Sequence, residues 1–192
     1  MCGRYYVASE DSSAELQQII DILQRRMGAD AVKLGEVRPS DQAAVIANNK
    51  NKEARPFAMR WGYSFPNSRP IINARSETAS SKPLFRDGML QRRCLVPASY
   101  YFEWEHVDGK SVKYALKPAG ADTIYMAGIY HMEHDAPMFT ILTIAVAPEI
   151  AFIHDRMPVL LPKEAKIDWL NVAYKADEII QSAQLNMTYR RA

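Results

Sequence analysis

Cysteine is scarce in this chain of 192 residues: Cys2 and Cys94 are its two thiols. Two thiols make no disulfide scaffold, so a reducing cytoplasm is the expected compartment. They cannot complete a four-ligand zinc site unaided, and the four histidines show no ligand spacing on a recognisable helix or loop. No metal and no cofactor are expected. Long apolar runs are missing as well. Nothing approaches the ~18 consecutive apolar residues of a membrane-spanning helix, and the opening Met1-Cys2-Gly3-Arg4-Tyr5-Tyr6 lacks the apolar core of a secretion signal. Charge of one sign is also missing in bulk, because 24 Lys and Arg against 22 Asp and Glu leave a net charge of +2. A site for a polyanion must therefore be a local cluster. No repeat, low-complexity segment or linker divides the chain.

What is present suits one compact domain over residues 1–192, with 48% hydrophobic and 24% charged residues. Residues 2–8 read as a short strand. Polar Ser9 to Ser13 offers N-caps for an amphipathic helix over 14–27, in which Leu16, Ile19, Ile20 and Leu23 recur at helical spacing and Gly28 stops the run. Asp41–Ala47, Phe57–Tyr63 and Ile71–Arg75 read as extended, with a two-proline loop at 64–70 between the last two. A helical turn is expected at Ser76–Ser81 and a short helix at Pro83–Arg93. Strands then dominate. Cys94–Pro97 and Tyr100–Trp104 read as a bent strand pair, followed by Val112–Lys117, Ile124–Tyr130, Met138–Val146 and a buried strand at Val159–Pro162. Lys163–Leu170 and Asp177–Gln184 read as helices. The fold class is α+β: a largely antiparallel sheet system, open or closed into a barrel, with a few short helices.

Cys2 is the first candidate for chemistry, because of its position. Methionine is trimmed readily before a small second residue. Removal of Met1 would leave one residue with both a thiol and a free α-amine, whose reference pKa values of about 8.5 and about 8 keep reactive fractions of each near neutral pH. An amine condenses with an aldehyde to an imine, and a thiol two carbons away closes a five-membered thiazolidine. The plain alternative is a small apolar filler in the first strand, which is the reading for Cys94. Glu103 lies in the aromatic run Tyr100-Tyr101-Phe102-Glu103-Trp104. Desolvation there would make it a proton shuttle, whereas alternation could instead set it, with Glu105, on a wet face. His154 precedes Asp155 and Arg156 between apolar segments and is either a general acid or base or a structural histidine. His106, His131 and His134 read as surface. Asn73 and Arg75 end an extended segment, where an amide can orient a nucleophile and a guanidinium can clamp phosphate, or where both simply finish a turn.

Six segments, in order, resemble the SOS response-associated peptidase (SRAP) family. They are Met1-Cys2-Gly3-Arg4-Tyr5, Trp61-Gly62-Tyr63, Ile72-Asn73-Ala74-Arg75-Ser76-Glu77-Thr78, Arg93-Cys94-Leu95-Val96-Pro97-Ala98, Tyr101-Phe102-Glu103-Trp104 and Ile153-His154-Asp155-Arg156-Met157-Pro158. The resemblance implies covalent capture of abasic sites in single-stranded DNA by the second-residue cysteine, after self-removal of Met1. It implies that Asn73 orients the Cys2 amine, that Glu103 moves protons, and that His154 assists sugar ring opening and release. Arg4, Arg75 and Arg156 would contact phosphates, and Phe65 is the aromatic available to bases in a loop where many members carry tryptophans. A form that keeps Met1 is expected to be an inactive precursor, with Met1 over the lesion pocket near Glu103 and His154. The stretch Thr143-Ile144-Ala145-Val146-Ala147 lacks the family's frequent Asn or Asp, and the tail is shorter than in longer members. The expected partner is abasic single-stranded DNA, with no membrane, and the expected state is a monomer. Two other functions compete: a thiol autopeptidase or amidohydrolase with no DNA substrate, and a non-catalytic single-strand binder.

Overall fold

The structure, a computed structural model, describes residues 2–8, 13–66 and 68–192. Its strands are β1 (Arg4–Val7), β2 (Gly35–Val37), β3 (Gln42–Asn48), β4 (Ala54–Trp61), β5 (Asn73–Arg75), β6 (Arg93–Ala98), β7 (Tyr100–Val107), β8 (Lys110–Pro118), β9 (Ile124–Glu133), β10 (Ala136–Ala145), β11 (Arg156–Pro158) and β12 (Met187–Arg191). The helices are α1 (Ala14–Met27), α2 (Ser76–Ala79), α3 (Pro83–Gln91), α4 (Lys166–Leu170) and α5 (Ala176–Ile180). None is long and apolar enough to cross a membrane.

Two sheets form the domain. In the first, the order β10-β4-β3-β6-β9 closes on itself because β9 also pairs with β10. The result is a five-stranded barrel, mixed because β4 runs parallel to β10. Beyond the barrel rim, β10 continues upward between two short strands, β5 in parallel at Ile141–Thr143 and β11 antiparallel at Thr143–Ala145. The second sheet, β12-β8-β7-β1-β2, is antiparallel throughout. Closure leaves the barrel without free edges, which removes the hazard of unpaired strand groups.

Local sequence explains most of these elements. Ser13 accepts a hydrogen bond from the Leu16 amide and so caps α1, while Gly28, at φ +101°, ends it with its own amide on the Gln24 carbonyl. The helix buries Leu16, Ile19, Ile20 and Leu23, each contributing roughly 1.5–3 kcal/mol of apolar burial. Gly62 is equally constrained: its φ is +104°, and a Cβ there would come within 2.8 Å of the Pro70 side chain. This glycine turns the chain out of β4 into the loop that carries Phe65.

The structure departs from expectation at several points. β6 and β7 do not pair with each other. β6 pairs with β3 and β9 in the barrel, whereas β7 pairs with β1 and β8. All six residues of β6 are buried, as a strand covered on both faces requires. Ser99 turns the corner between the sheets, its amide donating to the Tyr6 carbonyl and its hydroxyl accepting from the Ala8 amide. The ladder expected at Val159–Pro162 lies earlier, at Arg156–Pro158. Val159 to Leu161 runs on as a buried wedge that exchanges bonds with Leu142, Ala127 and Tyr125. The last helix ends at Ile180 rather than Gln184. β2 and β12 were not foreseen. Ser9 to Ser12 of the expected capping stretch lie outside the described residues.

The main core lies between the barrel and the inner face of the second sheet, and includes Cys2, Tyr5, Trp61, Tyr101, Phe139 and Ile141. A second core packs α3 and α4 on the barrel through Phe85, Leu95, Tyr125 and Trp169. The first core determines the surroundings of the N-terminus.

Candidate functional site

Cys2 is fully buried in the seam between the sheets. Its thiol donates weakly to the Arg4 carbonyl, at 3.8 Å. The Asn73 amide nitrogen donates to the Cys2 carbonyl at 2.9 Å, joining the segment before β1 to β5 across 71 positions of chain. Asn73 therefore grips Cys2 by its carbonyl group. Its own Oδ1 is buried and accepts nothing from the described residues. Burial pushes the Cys2 thiol far above its ordinary pKa, and the Glu103 carboxylate pushes in the same direction.

Glu103 is buried, but not by the rings beside it in sequence. On β7, Phe102 and Trp104 point to the outer face of the second sheet. Tyr101, Glu103 and Glu105 point inward, because direct strand partners share a face and Tyr101 faces Tyr5 and Leu116. Glu105 does share Glu103's side, as alternation requires, but that side is the core side, where Glu105 accepts from the Tyr114 hydroxyl at 2.8 Å. The hydroxyls of Tyr5 and Tyr101 are buried with no hydrogen-bond partner among the described residues. Burial raises both phenols well above the ordinary value, with Cys2 adding to each and Glu103 adding to Tyr101. Cys2, Glu103, Tyr101 and Tyr5 thus share one low-dielectric pocket.

The remaining residues line the barrel rim. Register places Asn73 and Arg75 of β5 on the same face as Thr143 of β10 and Arg156 of β11. Arg75 is exposed. Arg156 is mostly buried and makes a bidentate pair with Glu77, at 2.6 and 2.8 Å, and it also donates to the Thr143 carbonyl at 2.6 Å. The Thr143 hydroxyl reaches the Ala74 carbonyl, so a hydrogen-bonded chain runs from Arg156 through β10 and β5 to Cys2. His154 sits on the turn into β11. Its Nδ1 accepts from the Arg156 amide at 3.0 Å and lies 2.6 Å from the Asp155 carboxylate. An unprotonated Nδ1 suits the first contact and a protonated one suits the second. Arg4 pairs with Glu36 at 2.7 Å and lies 5.3 Å from the Trp104 ring centre. Phe65 is half exposed on its loop. The position of Met1 lies outside the described residues.

Sequence reasoning missed Glu36 and Glu77, the carboxylates that hold Arg4 and Arg156, and the inward pair Tyr5 and Tyr101. Glu77 is two residues beyond Arg75 at the start of α2, but nothing in the sequence shows that it faces β11. His131, read as surface, is half-buried and stacked on Tyr63, with ring centres 3.9 Å apart. Among the described residues no group of three or more His, Cys, Asp or Glu is placed to hold a metal ion. A cavity of about 820 Å³ near Lys50, Arg92, Tyr130 and Leu170 contains none of the predicted site residues. Its size alone does not outweigh the grouped chemistry around Cys2.

Comparison with known proteins identifies the family and the fold. Abasic site processing protein YoqW of Bacillus subtilis (strain 168) is 31% identical over 199 residues, covering 95% of this chain and 85% of that protein. Abasic site processing protein YedK of Escherichia coli (strain K12) is 26% identical, with 95% and 85% covered. A crystal structure of a protein from Bacteroides thetaiotaomicron superposes with a TM-score of 0.80 at 21% identity, covering 99% of this chain and 91% of that one, so the fold is shared. Residues 1–191 match the SOS response associated peptidase (SRAP) family, and the chain belongs to it.

Proposed function

We propose that this protein processes abasic sites in single-stranded DNA by forming a covalent thiazolidine at Cys2 after loss of Met1. The observation that carries this reading is the placement of Cys2. It is a second-position cysteine, buried, held by its carbonyl on Asn73 and set in one pocket with the Glu103 carboxylate. The names of its relatives support the substrate class.

The chemistry proceeds without a redox step. The freed Cys2 amine adds to the aldehyde carbon of the ring-opened sugar, giving a carbinolamine. Loss of water from it gives an imine. The thiol sulfur then adds to the imine carbon, and its proton passes to the nitrogen, so that one water is released in all. A thiol held neutral by burial is a poor thiolate nucleophile for peptide bonds, but it suits a sequence in which the amine attacks first. Glu103 carries protons to the departing hydroxyl and from the thiol. His154 serves ring opening and its reversal. Arg4, Arg75 and Arg156 hold the flanking phosphates, and Phe65 lies against a base. A chain that keeps Met1 is inert, because an amide nitrogen does not form an imine.

Cys2→Ser tests the reading. Serine can close only an oxazolidine, which reopens readily, so the variant should give no complex with abasic single-stranded DNA that survives boiling in detergent. A boil-stable complex at wild-type yield would remove the thiazolidine from the account.

A further inference from the structure

The outer face of the second sheet carries a side-chain set that the Cys2 site does not use. Register puts Arg4 and Tyr6 of β1, Tyr100, Phe102 and Trp104 of β7, Lys113 and Lys117 of β8, and Arg190 of β12 on this one face. Tyr6 and Tyr100 lie parallel with ring centres 5.0 Å apart, and Phe102 meets both edge-on. The Lys113 ammonium sits 3.6 Å from the centre of the Phe102 ring, and the Arg190 guanidinium 5.4 Å from that of Tyr100. The carboxylate among these residues, Glu36, is already shared by Arg4, Arg38 and Lys113, and Lys117 and Arg190 at the other end have no carboxylate partner among the described residues. A shallow cavity of about 110 Å³ lies there, lined by Tyr100, Ala115, Lys117, Thr188, Tyr189 and Arg190. The helices do not compete for this face: α1 packs on β3 and β4, α3 on β6 and β9, and α4 on β6.

We propose that this outer face, centred on Tyr6, Tyr100, Lys117 and Arg190, is a track for single-stranded nucleic acid that continues the strand away from the Cys2 site. Chemistry selects the occupant. Tyr6, Tyr100 and Trp104 are partly exposed and can meet unstacked bases, while Phe102 between them is buried beneath Lys113 and backs the others, and cations beside rings meet phosphates beside bases. An acidic peptide would satisfy the cations and make no stacking use of the rings beside them. Arg4 provides continuity, because it lies on this face and is two residues from the nucleophile. The inference rests on the proposed DNA substrate for its ligand class, and it adds a surface remote from the reacting atoms.

Binding of undamaged oligothymidylates of about 4 and about 16 nucleotides, followed by fluorescence anisotropy, tests it. Wild type should gain affinity on the longer strand. Tyr100→Leu and the double variant Lys117→Ala/Arg190→Ala, checked by thermal melting for intact folds, should each lose about tenfold on the long strand and nothing on the short one. In the double variant the salt slope should become shallower by about 1.4, for two lost phosphate contacts. The rate of crosslinking to a short abasic oligonucleotide at saturation should not change. Variants that bind the long strand as wild type does, or that lose equally on both lengths, would overturn the track. If wild type forms no adduct with abasic DNA, the proposed function falls, and the length dependence still decides the fate of this face.

Discussion

Cys2 keeps its proton because it is buried and because Glu103 shares its pocket, so bond formation needs a group to receive that proton as the ring closes. Glu103→Gln preserves size and removes the acceptor. It should slow adduct formation at saturating DNA by about 10²-fold, and a wild-type rate in single-turnover kinetics would reduce Glu103 to a structural carboxylate. The tyrosines beside it give a second prediction. The Tyr101 hydroxyl is buried without a partner among the described residues, and a buried polar group left unpaired costs stability. Tyr101→Phe should therefore raise unfolding free energy by about 1 kcal/mol, measured as a higher urea midpoint at unchanged slope. A loss of that size would mean that the hydroxyl is bonded in solution. Cys2 was a candidate from its position in the sequence, but its complete burial and its bond to Asn73 were not legible there. The burial of Glu103 was not, because the neighbouring rings suggested the right result for a wrong reason: they project to the opposite face. Tyr5 and Tyr101 read simply as strand aromatics, since nothing in a sequence shows that both hydroxyls are buried in the same core as Cys2.

Among the secondary-structure elements, α2 and β11 are joined by Glu77 and Arg156. The Arg156 hydrogen bonds hold the Glu77 carboxyl below its ordinary pKa. A depressed folded-state pKa contributes stability that is present above the unfolded value, about 4.3, and is lost as pH falls through the lower folded value. Glu77→Gln should cost about 1 kcal/mol at neutral pH and should flatten part of the acid limb of stability against pH, read from urea midpoints. An unchanged acid limb would show that this clamp contributes nothing. The same carboxylate competes with DNA phosphate for Arg156, so Glu77→Gln should also tighten noncovalent single-strand binding at low salt. Weaker binding would place Arg156 outside the phosphate path. Elements with strong local signals were legible. The Ser13 cap, the apolar spacing of Leu16 to Leu23 and the Gly28 stop fixed α1 to the residue. β2 and β12 were not, because three-residue Gly35–Val37 and charged Thr188-Tyr189-Arg190-Arg191 become strands only by pairing with β1 and β8. The passage of β6 into β7 across sheets was hidden for the same reason: one residue, Ser99, decides it through contacts with Tyr6 and Ala8.

For the whole molecule, a barrel and a second sheet meet over a core that receives the chain's N-terminus, and the reacting residues come from both sides of that meeting. Glu103 belongs to a strand of the second sheet and Cys2 to the segment that leads into β1 of that sheet, while Asn73 and Arg156 belong to the extensions of the barrel. The α+β class was legible from the succession of strands and short helices, whereas barrel closure was left open and the parallel pairing of β4 with β10 and the division of the site between two sheets were not legible, since they depend on pairings far apart in sequence. The account requires that Met1 be absent and that one abasic strand be joined at residue 2. Intact mass spectrometry of the mature protein, alone and after incubation with an abasic single-stranded oligonucleotide, tests this most directly. The account predicts a free chain lighter by one methionine residue, and an adduct equal to that chain plus one oligonucleotide minus one water, with fragments placing the bond at Cys2. A chain that retains Met1 and forms the adduct equally well, or a bond mapped to a lysine, would contradict it.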